Sequence, residues 1–344
     1  VSDWSSDVCS SDLLPHRYGP LMRIPPTVAT HLAAAALALS VAAPLQAQTA
    51  AQKVPQPSAA PKAPAWLDAY RDPASRLVGA AMTDTFAWRR LATLTDTIGN
   101  RLSGSPQLTK AIDWAVAEMK KDGLENVHTE PVMVPHWVRG RESAEIVEPA
   151  AHQIVMLGLG DSIGTPADGI QAEAIVVHNY DELQQNAARV KGRIVVYNVP
   201  FTDYDHTRPF RSEGASKAAA LGAVASLIRA VGPAGLRLPH TGGLNYTANV
   251  PKIPAAAIAS EDADRLQRMS DRGDRIVLRL RMEAHFEADA PSANVVGEWR
   301  GREKPDEVVV IGGHIDSWDV GAGASDDGGG IVSTWEAVRL MKTL

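Results

Sequence analysis

The chain has 344 residues, 45% hydrophobic and 22% charged, with 34 Lys and Arg against 40 Asp and Glu and a formal charge of −6. Length and apolar content suit about two globular domains rather than a disordered or collagen-like chain. The mildly acidic balance, with no basic run or interleaved aromatic stripe, offers no field for a phosphate backbone, so nucleic acid is not an expected partner.

The first residues read as processing sequence. Residues 1–21 precede Met22 and contain the near-repeat Ser5-Ser6-Asp7 and Ser10-Ser11-Asp12, the texture of a non-native leader. Residues 22–47 read as a signal peptide: Arg23, the apolar run Leu32 to Leu45, then Leu45-Gln46-Ala47 as a small-residue cleavage site. That run is too short for a usual membrane span, and no later stretch is long enough. A secreted or periplasmic protein, free of the membrane after signal cleavage, is the expectation. Residues 48–65 are a Pro- and Ala-rich linker. The single cysteine, Cys9, lies in the leader, which removes disulfide frameworks, thiolate metal sites and Cys nucleophiles.

In the folded part, Leu91, Leu94 and Ile98 fall at helical spacing and stop at Gly99. A second helix is capped by Ser105, has Pro106 at its first position, presents Leu108, Ile112, Ala115 and Met119 on one face, and closes at Gly123. Val127 to Val134 alternates as a strand. From about Glu145 short β runs follow: Ile154 to Leu157, Ala174 to Val177, Gly192 to Val196 and Ile253 to Ile258, with one Ala-rich helix at Ala215 to Leu221. Strands dominate this stretch, which predicts a separate β-rich module. After Ala293 the pattern returns to α/β. Val308 to Ile311 predicts a strand buried on both faces of a largely parallel sheet, and Ile331 to Leu344 an amphipathic helix with Val332, Trp335, Val338 and Met341 on one side.

The chemistry concentrates in GGHIDSWDV, residues 312–320, and GAGASDDGGG, residues 321–330. Polar groups just beyond a buried strand stand where open α/β sheets place ligands. Asp316, two residues from His314, lies on the same side of an extended chain and fixes the imidazole tautomer, leaving the other nitrogen for a metal. Asp326 and Asp327 add carboxylates on a Gly-rich loop, and one of them could bridge two cations. The same residues also suit helix capping or a calcium loop. No G-x-S-x-G occurs, there is no P-loop, and Gly158, Gly160 and Gly164 miss the dinucleotide fingerprint by one place. His206, near Asp203 and Asp205, reads as a solvated loop histidine.

The run GGHIDSWDVGAGASDDGGG closely resembles the metal-binding segment of the co-catalytic zinc exopeptidases, the family of aminopeptidase Y and carboxypeptidase Q. LTDTIGNRLSGSPQ and the residues after it look like the N-terminal region of the carboxypeptidase Q branch, with Asn100 where the family commonly has Pro. The resemblance implies a mixed sheet flanked by helices, with an inserted β-rich protease-associated domain and an incomplete catalytic domain. Residues 66–144 would be the N-terminal part of the peptidase domain, 145–290 the insertion and 291–344 the metal-binding part.

Carried over by residue, the resemblance makes His314 a ligand of one zinc and Asp326 the carboxylate bridging two. Asp316 becomes the partner that orients His314, and Asp326-Asp327 a cis peptide. It implies hydrolysis of short peptides, carboxypeptidase or dipeptidase in type, with a glutamate general base and further Asp and His ligands located beyond Leu344. Glu336, on the helix after the loop, reads as a surface residue and no substitute for that base. The chain by itself is then expected to be inactive, and a homodimer is a family expectation. Aminopeptidase action within the family and a non-catalytic peptide- or protein-binding module are the alternatives. An imidazole and carboxylate set also accepts manganese or cobalt.

Overall fold

The computed structural model describes residues 64–344; the expected leader, the signal peptide and most of the linker lie outside the described residues. A short 3-10 turn, Ala65–Tyr70, leads into α1 (Arg71–Thr83) and α2 (Phe86–Thr93). α2 runs on into a π-helical turn, Leu94–Ile98, that stops at Gly99, whose φ is +80°. α3 (Pro106–Lys121) begins where its sequence dictates. Ser105 Oγ accepts from the Leu108 N–H at 3.2 Å, and Pro106 sits where an N–H would have no helical partner. The helix buries Leu108, Ala111, Ile112 and Ala115. β1 (Glu125–Val134) follows.

The next elements are β2 (Trp137–Val138), β3 (Glu142–Glu148), β4 (His152–Ile154), β5 (Met156–Gly158) and β6 (Ile170–Val177). Then come α4 (Tyr180–Gln185), α5 (Ala187–Val190), β7 (Ile194–Tyr197), α6 (Tyr204–Ala220), β8 (Ala225–Arg229), β9 (Ala255–Ile258), α7 (Ser260–Asp271), β10 (Val277–Met282) and β11 (His285–Phe286). Eight of these strands form one mixed sheet in the order β4-β3-β10-β6-β7-β8-β9-β5. Its centre, β6 to β9, is parallel, and its flanks are antiparallel.

Both faces of that centre are covered, which is why its strands read as unbroken apolar runs. On one face Ile194, Val196, Leu227 and Ile258 pack with Leu266 of α7; on the other, Val195, Tyr197 and Ile228 pack with Phe210 and Ala218 of α6. The fold is a mixed sheet flanked by helices. The expected dominance of strands in this stretch is corrected, since α6 has 17 residues and α7 has 12. Parallel strands require crossovers. α6 escapes the periodicity test because its buried face is built largely from small residues, Gly214, Ala215, Ser216, Ala218 and Ala219.

β12 (Ala290–Glu298) pairs antiparallel with β1, and α8 (Gly329–Thr343) ends the chain. Two expectations fail here. Val308 to Ile311 is not a strand: Val308, Val309 and Val310 are more than four-fifths exposed. An isolated run gains no ladder hydrogen bonds, and no strand among the described residues lies beside it. Glu336 is buried, not on the surface, with its carboxylate accepting from Arg339 at 2.8 and 2.9 Å. Arg339 also bonds Asp84, so Glu336 belongs to a structural ion cluster joining α8 to the α1–α2 corner. On α8, Leu340 rather than Met341 completes the stripe of Val332 and Trp335, and Met341 is half exposed.

Ile258 is fully buried at the sheet centre. Ile258→Ala should lower unfolding free energy by about 2–5 kcal/mol, seen in urea titration as a lower midpoint at unchanged slope.

Candidate metal centre

The loop carrying His314 has almost no regular structure, yet one side chain fixes its path. Arg101 is completely buried. Its Nε donates to Ile315 O at 2.6 Å, Nη1 to Gly99 O at 2.6 Å and Ala322 O at 2.7 Å, and Nη2 to Gly323 O at 3.0 Å. Ser317 adds a reciprocal pair, its N–H donating to Arg101 O and its side-chain Oγ accepting from the Arg101 N–H, both at 3.0 Å. Gly323 has φ +60°, and a Cβ there would lie 2.3 Å from Ser317 and 2.6 Å from the Arg101 guanidinium. Only glycine serves at that position.

His314, Asp316, Asp326 and Asp327 come together on this support. His314 Nδ1 lies 3.2 Å from Asp316 Oδ1, and Nε2 lies 3.0 Å from Asp326 Oδ1. The His314 N–H donates to Asp327 Oδ2 at 3.1 Å, while Asp327 Oδ1 accepts from the Gly330 N–H at 3.1 Å at the start of α8. Asp327 is therefore engaged by backbone, whereas the Asp326 carboxylate is exposed and faces the imidazole. The Asp326-Asp327 peptide is cis. The turn Ala324–Gly328 leaves helical geometry at both residues, with φ −119° at Asp326 and −123° at Asp327.

The hydrogen bond from Asp316, followed by the charges of Asp316, Asp326 and Asp327, raises the His314 pKa to about 9 against the opposing effect of partial burial. At neutral pH and without metal the imidazole is a cation held among three carboxylates. A divalent ion would replace that proton: Nδ1–H donates to Asp316, and Nε2 and Asp326 Oδ1 converge as donors. Their 3.0 Å separation suits adjacent ligands of a cation bound at about 2.0–2.2 Å. The donor types fit zinc. Their number is short of the three or four protein ligands zinc takes, since among the described residues no group of three or more His, Cys, Asp or Glu is arranged to hold an ion.

The mixed-sheet module also touches this loop. Arg139 donates from Nε and Nη2 to Asp319 at 2.7 and 2.8 Å, and from Nη1 to Gly158 O at 2.5 Å. Asn100 Nδ2 donates to Asp319 O at 2.9 Å. Trp318 lies against Gly160, where a Cβ would fall 1.9 Å from the indole ring. Sequence reasoning found His314, Asp316, Asp326 and Asp327 but not Arg101, Arg139 or Gly160. The isolated Arg101 beside Gly99 gives no local signal, because its partners are carbonyls more than 200 residues away. His206 stays outside the site; its N–H donates to Asp203 Oδ1 at 2.7 Å, capping α6.

The chain is similar to known proteins over most of its length. Residues 294–344 match peptidase family M28. Carboxypeptidase Q of Bos taurus is 52% identical over 258 residues, which is 75% of this chain and 55% of that protein. The crystal structure of a peptidase M28 precursor from Shewanella amazonensis SB2B superposes with TM-score 0.75 at 35% identity, covering 79% of this chain and 64% of that one. A zinc aminopeptidase from Bacillus subtilis shares the fold at TM-score 0.53 and 20% identity, over 75% of this chain and 58% of that one. The chain thus spans a little over half the length of the bovine relative.

Arg101→Met should cost about 3 kcal/mol or more, since four carbonyls lose a charged donor; thermal unfolding and faster amide exchange across residues 315–323 would report it. In metal-free protein, NMR titration of His314 should give a midpoint near 9 that moves down in Asp316→Asn. The folded-state pKa is raised, so this pairing stabilises fully below about 6.5 and fades as pH rises through about 9.

Proposed function

Because the chain belongs to peptidase family M28, we propose that it forms part of a secreted or periplasmic zinc exopeptidase, carboxypeptidase or dipeptidase in type, acting on short peptides. The observation that carries this reading is the convergence of His314 Nε2 and Asp326 Oδ1 with Asp316 behind Nδ1. An imidazole oriented by one carboxylate and facing a second, exposed one is the donor arrangement a co-catalytic metal pair needs.

His314 would hold one zinc and Asp326 would lie between two. Zinc supplies Lewis acidity, activating water and polarising the peptide carbonyl. Asp316 keeps the His314 proton on Nδ1 and so keeps Nε2 available. Asp327 is tied to the His314 and Gly330 N–H groups and positions the turn rather than the metal. Arg101 holds both ends of the loop, Ile315 and Ala322–Gly323, at a fixed separation. We assign the general base and the remaining ligands to sequence that the longer relatives have and this chain does not span, so that this chain alone would not turn over substrate. Among the described residues no helix is long and apolar enough to cross a membrane.

The full-length protein loaded with zinc should release free amino acids from unblocked dipeptides, and cleavage of an N-acetylated peptide would separate carboxypeptidase from strict aminopeptidase action. Asp316→Asn should lower zinc affinity or activity by about 10–100-fold. Zinc affinity should also rise with pH as the proton on His314, with its pKa near 9, is lost, measurable by competition with a chromophoric chelator. Retention of full activity in Asp326→Ala would remove the assignment.

A further inference from the structure

The segment after β8 runs from residue 230 to 254 without regular structure, and its turn at His240–Gly243 is fixed beside the metal-binding loop. The Gly160 N–H donates to Gly242 O at 3.0 Å, and the Leu244 N–H to Gly160 O at 3.1 Å. Trp318 spans this junction: besides its contact with Gly160, its ring would lie 4.0 Å from a Cβ on Gly243. Two nitrogen-bearing side chains, Arg211 and His240, meet at this turn. Arg211, from α6, is 6% exposed and packs so tightly under Gly242 that a Cβ there would fall 2.4 Å from its guanidinium carbon.

Arg211 has only neutral partners: its Nη2 donates to the Tyr204 hydroxyl at 2.7 Å and Nη1 to Thr241 O at 3.5 Å, while Nε is buried without an acceptor. A desolvated guanidinium normally has a carboxylate or, like Arg101, a set of main-chain carbonyls to satisfy it. The other buried arginine on the same module does, since Arg139 grips Asp319. His240 is exposed and lies within the electrostatic reach of both Arg211 and Asp326. Partial burial of its ring and then the Arg211 charge lower its pKa, and the Asp326 charge opposes them. The turn thus carries a buried guanidinium whose hydrogen-bond partners are all neutral, with Asp161 Oδ2 3.8 Å from where a Cβ on Gly243 would stand, while the 314–327 loop carries Asp316, Asp326 and Asp327.

We propose that His240, with Arg211 behind it, binds the C-terminal carboxylate of a short peptide whose scissile bond lies at Asp326. The assignment rests on the peptidase reading above and adds to it the group of the substrate that the inserted module recognises. A free carboxylate supplies the acceptor that His240 lacks and the negative charge that Arg211 lacks, and it does so beside the putting-in-place of the reacting bond at the metal loop. It makes the insertion a specificity element rather than an appendage.

The test is calorimetric binding of alanyl-leucine and of its C-terminal amide to metal-free full-length protein, alongside hydrolysis of both by the zinc-loaded protein. The native protein should favour the acid by about tenfold or more, as expected for a hydrogen bond to a charged group. His240→Ala should bring that acid-to-amide ratio down by about tenfold, and His240→Lys should restore much of it. Arg211→Met should also lower the ratio. An unchanged ratio in His240→Ala, or equal loss for acid and amide, overturns the proposal, including where hydrolysis is intact. If the ratio follows His240 but no peptide is hydrolysed with zinc, the peptidase reading fails and the carboxylate site stands.

Discussion

A buried cation organises the candidate site. Arg101 has no carboxylate in hydrogen-bonding contact; it satisfies its guanidinium with four main-chain carbonyls from two distant stretches, Gly99 on one side and Ile315, Ala322 and Gly323 on the other. Removing a charge from water is expensive unless every donor finds an acceptor, so the low-energy position of the 315–323 segment is the one that surrounds this side chain. Burial lowers the Arg101 pKa, and the nearby Asp316 charge partly compensates. The residue that orients His314 also helps keep the clamp charged. Positions of Asp316 and the loop carbonyls are consequently linked, which a set of independent surface contacts would not achieve.

A second tie runs to the mixed-sheet module. Arg139 grips Asp319 with two donors while bonding Gly158 at the end of β5, and Trp318 fills the space that Gly160 leaves open. Glu142, beside Arg139, has its pKa raised by burial in spite of that guanidinium, so Arg139 leans mainly on Asp319. The module and the 314–323 loop therefore share one polar junction and one steric junction, close to residues 314–319. A side chain at position 160 would have to displace an indole ring, and no flexible tip is available to yield.

The parts of this arrangement that sequence reveals are those with short-range causes. Ser105 and Pro106 announce α3, Gly99 ends a helical turn because a positive φ is needed there, and β7 and β9 are legible because strands covered on both faces must be apolar throughout. His314 and Asp316 are visible through their spacing. What stayed hidden depends on partners far along the chain. Val308 to Ile311 has the composition of a buried strand, but composition cannot supply a neighbouring strand, and the run is exposed. Glu336 looks solvent-facing until Arg339 and Asp84 are found around it. α6 is legible only at its Ala-rich end, because its N-terminal half, around Pro209 and Arg211, has no helical apolar stripe.

The charges at the site form a graded series rather than a cluster of equivalents. Asp327 is held by two N–H groups, Asp316 is turned toward Nδ1, and Asp326 is left exposed against Nε2. Three carboxylates around one imidazole leave a net negative pocket even when His314 is protonated, and the same carboxylates raise the His314 pKa. A proton answers that field with one unit of charge. A divalent cation would answer it with two and could use the same nitrogen, so the electrostatics that hold the proton on His314 are those that would favour a metal in its place.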